Sequence, residues 1–253
     1  MIKGLDIFKE YFTPFNRHYA LIGGVASMLS MEEVGLDFRA TRDLDIVLFV
    51  ESLSAEFATV FWNFIKTGNY MSRKKSTGKK QFYRFQNPTL PTFPDIIELF
   101  SREPKKVFLR EDCLFTPIPV NEEISSLSAI LLNDEYYHFI HDGKILVDGI
   151  SIVRPTHIIP LKAKAFLDLS SSAKEGKHVD SKDIRKHRND IIRLHQLLSP
   201  KEHVFLPVSI RNDMKEFLSQ ITEESMDLKA LGLKNTSLSD IIEIFNQIYS
   251  LIF

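Results

Sequence analysis

Apolar and polar positions along the chain switch between two spacings, and the switch divides it into two regions. LDIFKEYF, residues 5–12, is amphipathic enough for a first helix, and HYALIGG, residues 18–24, reads as a short strand running into a turn. VASMLSMEE, residues 25–33, reads as a helix, and LDIVLFV, residues 44–50, as a strong strand. SAEFATVFWNFIKTG, residues 54–68, has helical periodicity and ends at Gly68, a predicted cap. QFYRFQ, residues 81–86, and DIIELFS, residues 95–101, predict two more strands, separated by the proline-rich loop NPTLPTFP. An extended TPIPV, residues 116–120, is followed by a helix over about 124–140, and KILVDGISIVRP, residues 144–155, predicts a hairpin turning at Asp148-Gly149. From Pro160 onward the pattern is helical, broken near SSAKEGKHVDS and again near LPVS.

Mixed strands and helices followed by helices alone predict an α/β (α+β) lobe and then a helical lobe. The seam falls between 116 and 156, and the lobes are drawn as 1–115 and 116–253, the hairpin going with the second. The 253 residues suffice for a large core, and 44% apolar with 26% charged residues is a globular composition that disfavours disordered and fibrous classes. A net charge of −1 excludes a generic polyanion binder, so any nucleic-acid contact needs a local basic patch. The run SRKKSTGKK, residues 72–80, is one such patch, either a solvated loop or a docking surface for RNA phosphates. The single cysteine, Cys113, rules out an internal disulfide and a cysteine-based zinc site. With no leader-like N-terminus and no long apolar run, the chain reads as soluble and cytoplasmic, without a membrane segment.

The strand after the first Gly pair opens with two acids. Asp43 and Asp45 share a strand face, with Cα atoms roughly 6–7 Å apart, while Leu44, Ile46 and Leu48 take the other. Two carboxylates at the mouth of a central strand repel each other unless a cation lies between them, and hard oxygen ligands suit Mg²⁺. Glu98, an acid inside the apolar run DIIELF, is the best third ligand for a two-metal clamp on a phosphoryl group. A solvated strand entry explains Asp-Leu-Asp alone. The upstream Gly23-Gly24 changes the balance, because glycines admit close backbone approach and a helix N-terminus offers N–H groups to phosphate. No Walker, nucleophile-elbow or kinase-loop motif competes, and the histidines lack metal-ligand spacing.

LIGGVASML followed by FRATRDLDIVL resembles the nucleotidyltransferase-fold family that includes AbiEii/AbiGii-type toxins of type IV toxin–antitoxin systems. Arg39, Thr41, Asp43 and Asp45 match its Arg-x-Thr/Ser-x-Asp-hydrophobic-Asp element, and IPLKAKAFLDL with VDSKDIRKHRNDIIRLHQLL is similar to its C-terminal block. The resemblance implies a nucleotidyltransferase-like mixed sheet flanked by helices, with a helical C-terminal lobe closing a nucleotide cleft. It implies Mg²⁺-dependent transfer of a nucleoside monophosphate from a nucleoside triphosphate to RNA, such as a tRNA end, and a cognate antitoxin protein. Asp43, Asp45 and Glu98 would hold metal, Gly23 and Gly24 would cradle phosphate, and Arg39, Thr41, Arg42, Lys164 and His187 would line the nucleotide. A small-molecule acceptor, as in antibiotic-modifying enzymes, and a non-catalytic nucleotide- or partner-binding module are the alternatives.

Two C-terminal helices carry the remaining candidates. Lys162 shares a face with Ala165, Phe166 and Leu169, so its stem lies on the apolar side, where it is either a core-edge lysine or a phosphate contact. Lys164 faces Asp168 and predicts an ordinary i,i+4 pair; the family's lysine aligns better with Lys162, with Lys164 as the alternative. In the second helix Ile184, Ile191, Leu194 and Leu198 make a seam, with His187 on it and Asp190 beside it. His187 stands where the family has an acid, so it binds nucleotide, orients Asp190 or packs. Asp190 is expected to accept a proton or to hold Lys162.

Overall fold

The segment after Asp45 is apolar on both sides, and a strand of that kind has to be covered on both faces. In the computed structural model, which describes residues 2–72, 84–101 and 133–251, Asp43–Leu48 is strand β2, near the middle of a seven-stranded sheet. The other strands are β1 (Tyr19–Leu21), β3 (Met71–Ser72), β4 (Arg84–Gln86), β5 (Ile96–Phe100), β6 (Lys144–Val147) and β7 (Ile150–Val153). Their order is β3-β4-β5-β2-β1-β7-β6; β2 runs parallel to β5, β1 parallel to β7, and every other neighbour is antiparallel.

Aromatic side chains cover one face. Helices α1 (Leu5–Phe12) and α3 (Ala55–Thr67) bring Phe8, Phe12, Phe57, Phe61 and Phe64 against Tyr19 of β1 and Phe85 of β4. Tyr19 stands opposite Leu48, and Phe85 opposite Ile97, so these rings share the face of Leu44, Ile46 and Leu48. Helix α2 (Gly23–Glu33) connects β1 to β2; residues 24–31 are buried all round, as befits a helix inside a core. Helix α4 (Asp134–Asp142) precedes the β6–β7 hairpin, whose turn takes positive φ at Asp148 (48°) and Gly149 (76°). Both central residues left-handed is the turn that suits strand twist.

The chain divides into units Met1–Arg154 and Pro155–Phe253. The hairpin therefore belongs to the first unit rather than to the residues after 115, because Ile152 of β7 pairs with Leu21 of β1 and extends the sheet. Gly68 ends α3 as expected, yet with an ordinary right-handed φ of −69°. Its smallness matters for another reason: a Cβ there would come within 2.6 Å of the Tyr70 ring and 2.7 Å of the Phe93 ring. The run at 72–80 beyond its first backbone residue, TPIPV, Cys113 and the predicted helix before residue 133 lie outside the described residues.

The second unit is four helices: α5 (Pro155–Lys174), α6 (Ser181–Leu194), α7 (Val208–Thr222) and α8 (Leu238–Tyr249). Asp180 caps α6 by accepting from the Lys182 N–H, and Ser237 with Asp240 forms a capping box on α8. Helix α5 starts at Pro155, not Pro160, so Pro160 sits inside it. Proline there has no N–H to give the carbonyl of residue 156. The buried Tyr249 hydroxyl of α8 donates to the Thr156 carbonyl at 2.8 Å and supplies the missing partner.

Candidate functional site

Gly23 and Gly24 open the first turn of α2, and each makes room for one side chain of the segment leading into or forming β2. Gly23 has φ +66°, and a Cβ on it would lie 2.0 Å from Oδ2 of Asp45. A Cβ on Gly24 would lie 2.5 Å from Oγ1 of Thr41. Alongside, the Ile22 N–H donates to the Asp45 carbonyl at 3.0 Å. The glycines thus seat the Asp45 carboxylate against the beginning of α2. Ile22 at the N-cap offers no side-chain acceptor, and the electropositive first turn favours an anion.

Sheet register brings the third acid to the same row. Asp45 stands directly opposite Glu98, and Asp43 opposite Ile96, so all three carboxylates rise from one face at the starts of two parallel strands. Arg84 of β4 is the next member of the row, opposite Glu98, and its Nη1 donates to Glu98 Oε1 at 2.5 Å. Glu98 therefore reaches toward β4, and Asp45 toward Gly23. Among the described residues no three His, Cys, Asp or Glu side chains converge as a group that could hold a cation. The donor chemistry, oxygen only and anionic with a glycine cradle beside it, still fits Mg²⁺. Arg84 carried no signal in the sequence, being one basic residue in a short strand, and it stands out only through its register with Glu98.

The basic residues of the same motif are placed differently. Arg39 donates to the Ala40 carbonyl at 3.3 Å, and its guanidinium lies 5.6 Å from the Phe38 ring centroid. Arg42 is exposed just before β2, and Thr41 is half-buried.

In the second unit Lys162 and Asp190 meet. Lys162 of α5 is 4% exposed and Asp190 of α6 is 0% exposed, and Nζ donates to Oδ2 at 2.7 Å. Two buried charges are tolerable only as a close pair, and taking away either strands the other. Lys164 makes the expected i,i+4 pair with Asp168 at 2.9 Å and lies 3.8 Å from Asp213 of α7. Burial pushes Lys164 down, but the Asp168 hydrogen bond with the Asp168, Asp213 and Glu216 charges outweighs it and holds the ammonium above its ordinary range. Burial raises Asp168 despite that lysine. His187 is half-buried on α6, three residues before Asp190. Among the described residues no helix is long and apolar enough to cross a membrane.

No family model and no curated protein matches the chain. Among solved structures it is similar to an antigenic nucleotidyltransferase-like protein from Paracoccidioides brasiliensis, at 16% identity and a TM-score of 0.38, over 96% of this chain and 99% of that one.

Proposed function

We propose that this protein transfers a nucleoside monophosphate from a nucleoside triphosphate to an acceptor hydroxyl, with Mg²⁺ as cofactor. In this reading the acceptor is RNA, such as a tRNA end, and the protein is a cytoplasmic toxin restrained by a cognate antitoxin. The observation that supports it best is the opposition of Asp45 and Glu98 on parallel strands, with Gly23 bringing the start of α2 onto the Asp45 carboxylate.

Asp43, Asp45 and Glu98 would hold Mg²⁺, which when bound neutralises triphosphate charge. The first-turn N–H groups at Gly23 and Gly24 take phosphate oxygens, and the Thr41 hydroxyl beside Gly24 adds a donor. The acceptor oxygen attacks the α-phosphorus, the α–β bond breaks, and pyrophosphate leaves. Glu98 takes the hydroxyl proton once it is released from Arg84. Lys162 and Asp190, buried together in the second unit, hold each other rather than carry a proton. Catalysis of this type rests on positioning and electrostatic stabilisation.

One observation favours a second reading, a non-catalytic nucleotide-binding module: Glu98 is already engaged by Arg84. Incubation with labelled nucleoside triphosphates, Mg²⁺ and either bulk tRNA or small alcohols separates the readings. Label on tRNA, absent with Asp45→Asn at unchanged circular dichroism, supports the transferase. Label on the alcohols moves the acceptor to small molecules. Nucleotide binding without transfer supports the module.

A further inference from the structure

Helix α6 has a buried character and a basic one. Its buried residues are Asp190, Ile191, Ile192 and Leu194. At about 100° per residue, positions 182, 185, 186, 189 and 193 fall within an arc of about 100° that includes none of them. They are Lys182, Arg185, Lys186, Asn189 and Arg193: four cations, one amide and no acid. Lys182, Arg185 and Lys186 are exposed and Arg193 is half-buried. The protein as a whole has 32 basic and 33 acidic residues, so composition does not account for a stripe of one sign.

Some cations of the second unit are matched, Arg188 on the same helix with Glu224, Lys164 with Asp168 and Lys177 with Glu175, and among the described residues others, such as Lys201, Lys229 and Lys234, are not. Among the described residues none of the four stripe cations makes an ion pair. The stripe runs from Lys182 to Arg193, eleven rises or about 16 Å along the axis. That is a track several phosphates long.

We propose that the exposed face of α6 is a docking surface for the phosphate backbone of RNA, through Lys182, Arg185, Lys186 and Arg193. The proposal rests on the reading that the acceptor is RNA, and charge complementarity identifies the occupant. An RNA backbone offers closely spaced anions that need no shaped pocket, which suits a row of long flexible cations on an open helix face.

The test is a titration of fluorescein-labelled bulk tRNA with the full chain, by anisotropy, at several salt concentrations and without nucleoside triphosphate. The stripe variant is Lys182→Gln/Arg185→Gln/Lys186→Gln. The control removes the same charge from exposed lysines elsewhere in the unit, as Lys201→Gln/Lys229→Gln/Lys234→Gln. The stripe variant is expected to bind at least about ten-fold more weakly at low salt, with a log–log salt slope shallower by about 2, at ~0.7 per lost phosphate contact. The control is expected to stay within about two-fold. Equal weakening in both variants, unchanged binding in the stripe variant, or no tRNA binding by the parent protein overturns the proposal. So does stripe-dependent binding of poly-glutamate in place of tRNA, which would make the partner an acidic protein. Transfer chemistry is read separately by the labelled-nucleotide assay, so its absence leaves this result interpretable.

Discussion

Tyr249→Phe removes one oxygen atom and tests how Pro160 is accommodated in α5. The hydroxyl donates to the Thr156 carbonyl at 2.8 Å, Tyr249 is 0% exposed, and Thr156 is 4% exposed. Burial pushes the Tyr249 phenol well above its ordinary range, so the hydroxyl keeps its proton and remains a donor throughout the accessible pH range. Phenylalanine preserves the ring and its stacking on Phe245 at a centroid distance of 6.3 Å, so the change is confined to the hydrogen bond. A buried carbonyl deprived of its donor costs about 1–3 kcal/mol. That range should appear as lost unfolding free energy in urea titrations followed by far-UV circular dichroism, to which a four-helix unit contributes strongly. The decisive comparison is the same substitution in a Pro160→Ala background. Alanine restores the N–H that proline lacks, four residues beyond Thr156, and a carbonyl has two lone pairs. In that background Tyr249→Phe should cost well under 1 kcal/mol, whatever Pro160→Ala does alone through its altered packing, because the cycle cancels that term. Equal losses in the two backgrounds would refute the account of α5.

Gly23→Ala should destabilise the protein by about 1–2 kcal/mol from its left-handed backbone alone, and more because the new methyl meets Asp45; a wild-type urea midpoint would contradict this. Lys162→Ala should cost about 3–5 kcal/mol by stranding Asp190 in the core, whereas Lys164→Ala should cost about 0.2–1 kcal/mol; equal losses would mean that the two lysines were ranked wrongly. His195 donates from Nδ1 to the Ile192 carbonyl at 2.5 Å, and burial pushes its pKa below the ordinary value. Below about pH 6.5 the unfolded chain then takes up a proton that the folded one refuses, so stability falls with pH from there toward the folded-state pKa. Urea titrations at about pH 7 and about pH 5.5 should show a smaller loss in His195→Gln than in the parent, and identical losses would refute the assignment.

Local order was legible in this chain wherever spacing and turn chemistry agree. The helices at Leu5–Phe12 and Gly23–Glu33, the strands at Asp43–Leu48 and Ile96–Phe100, and the Asp148-Gly149 hairpin are each fixed by a few neighbouring residues. Ownership of the hairpin was not, because it depends on Leu21 pairing with Ile152 across the whole first unit. The start of α5 was misplaced for a similar reason. Proline is a sound stop signal for a helix when no partner is at hand for the exposed carbonyl, and the partner here is Tyr249, 89 residues after Pro160.

The candidate site divides along the same line. Asp43 and Asp45 on one face, Lys162 turned inward and Lys164 paired with Asp168 follow from periodicity, which is local. Holding Lys162 was one of the two roles open to Asp190, and the buried 2.7 Å pair is that contact, because an inward lysine demands a carboxylate within reach. Arg84 could not be anticipated, since its significance is a matter of register between β4 and β5, and register is a long-range property. The result is a row across three strands, Arg84, Glu98 and Asp45, in which one acid is matched by a cation and the other by the start of a helix. Each of the two acids is thus held by a partner on its own side, and that arrangement lets like charges stand on adjacent strands. Drawing Glu98 toward Asp45 must first detach it from Arg84. Arg84 is 45% exposed at its side chain, so solvent can take over the guanidinium when that happens, and the exchange costs far less than breaking a buried pair such as Lys162–Asp190.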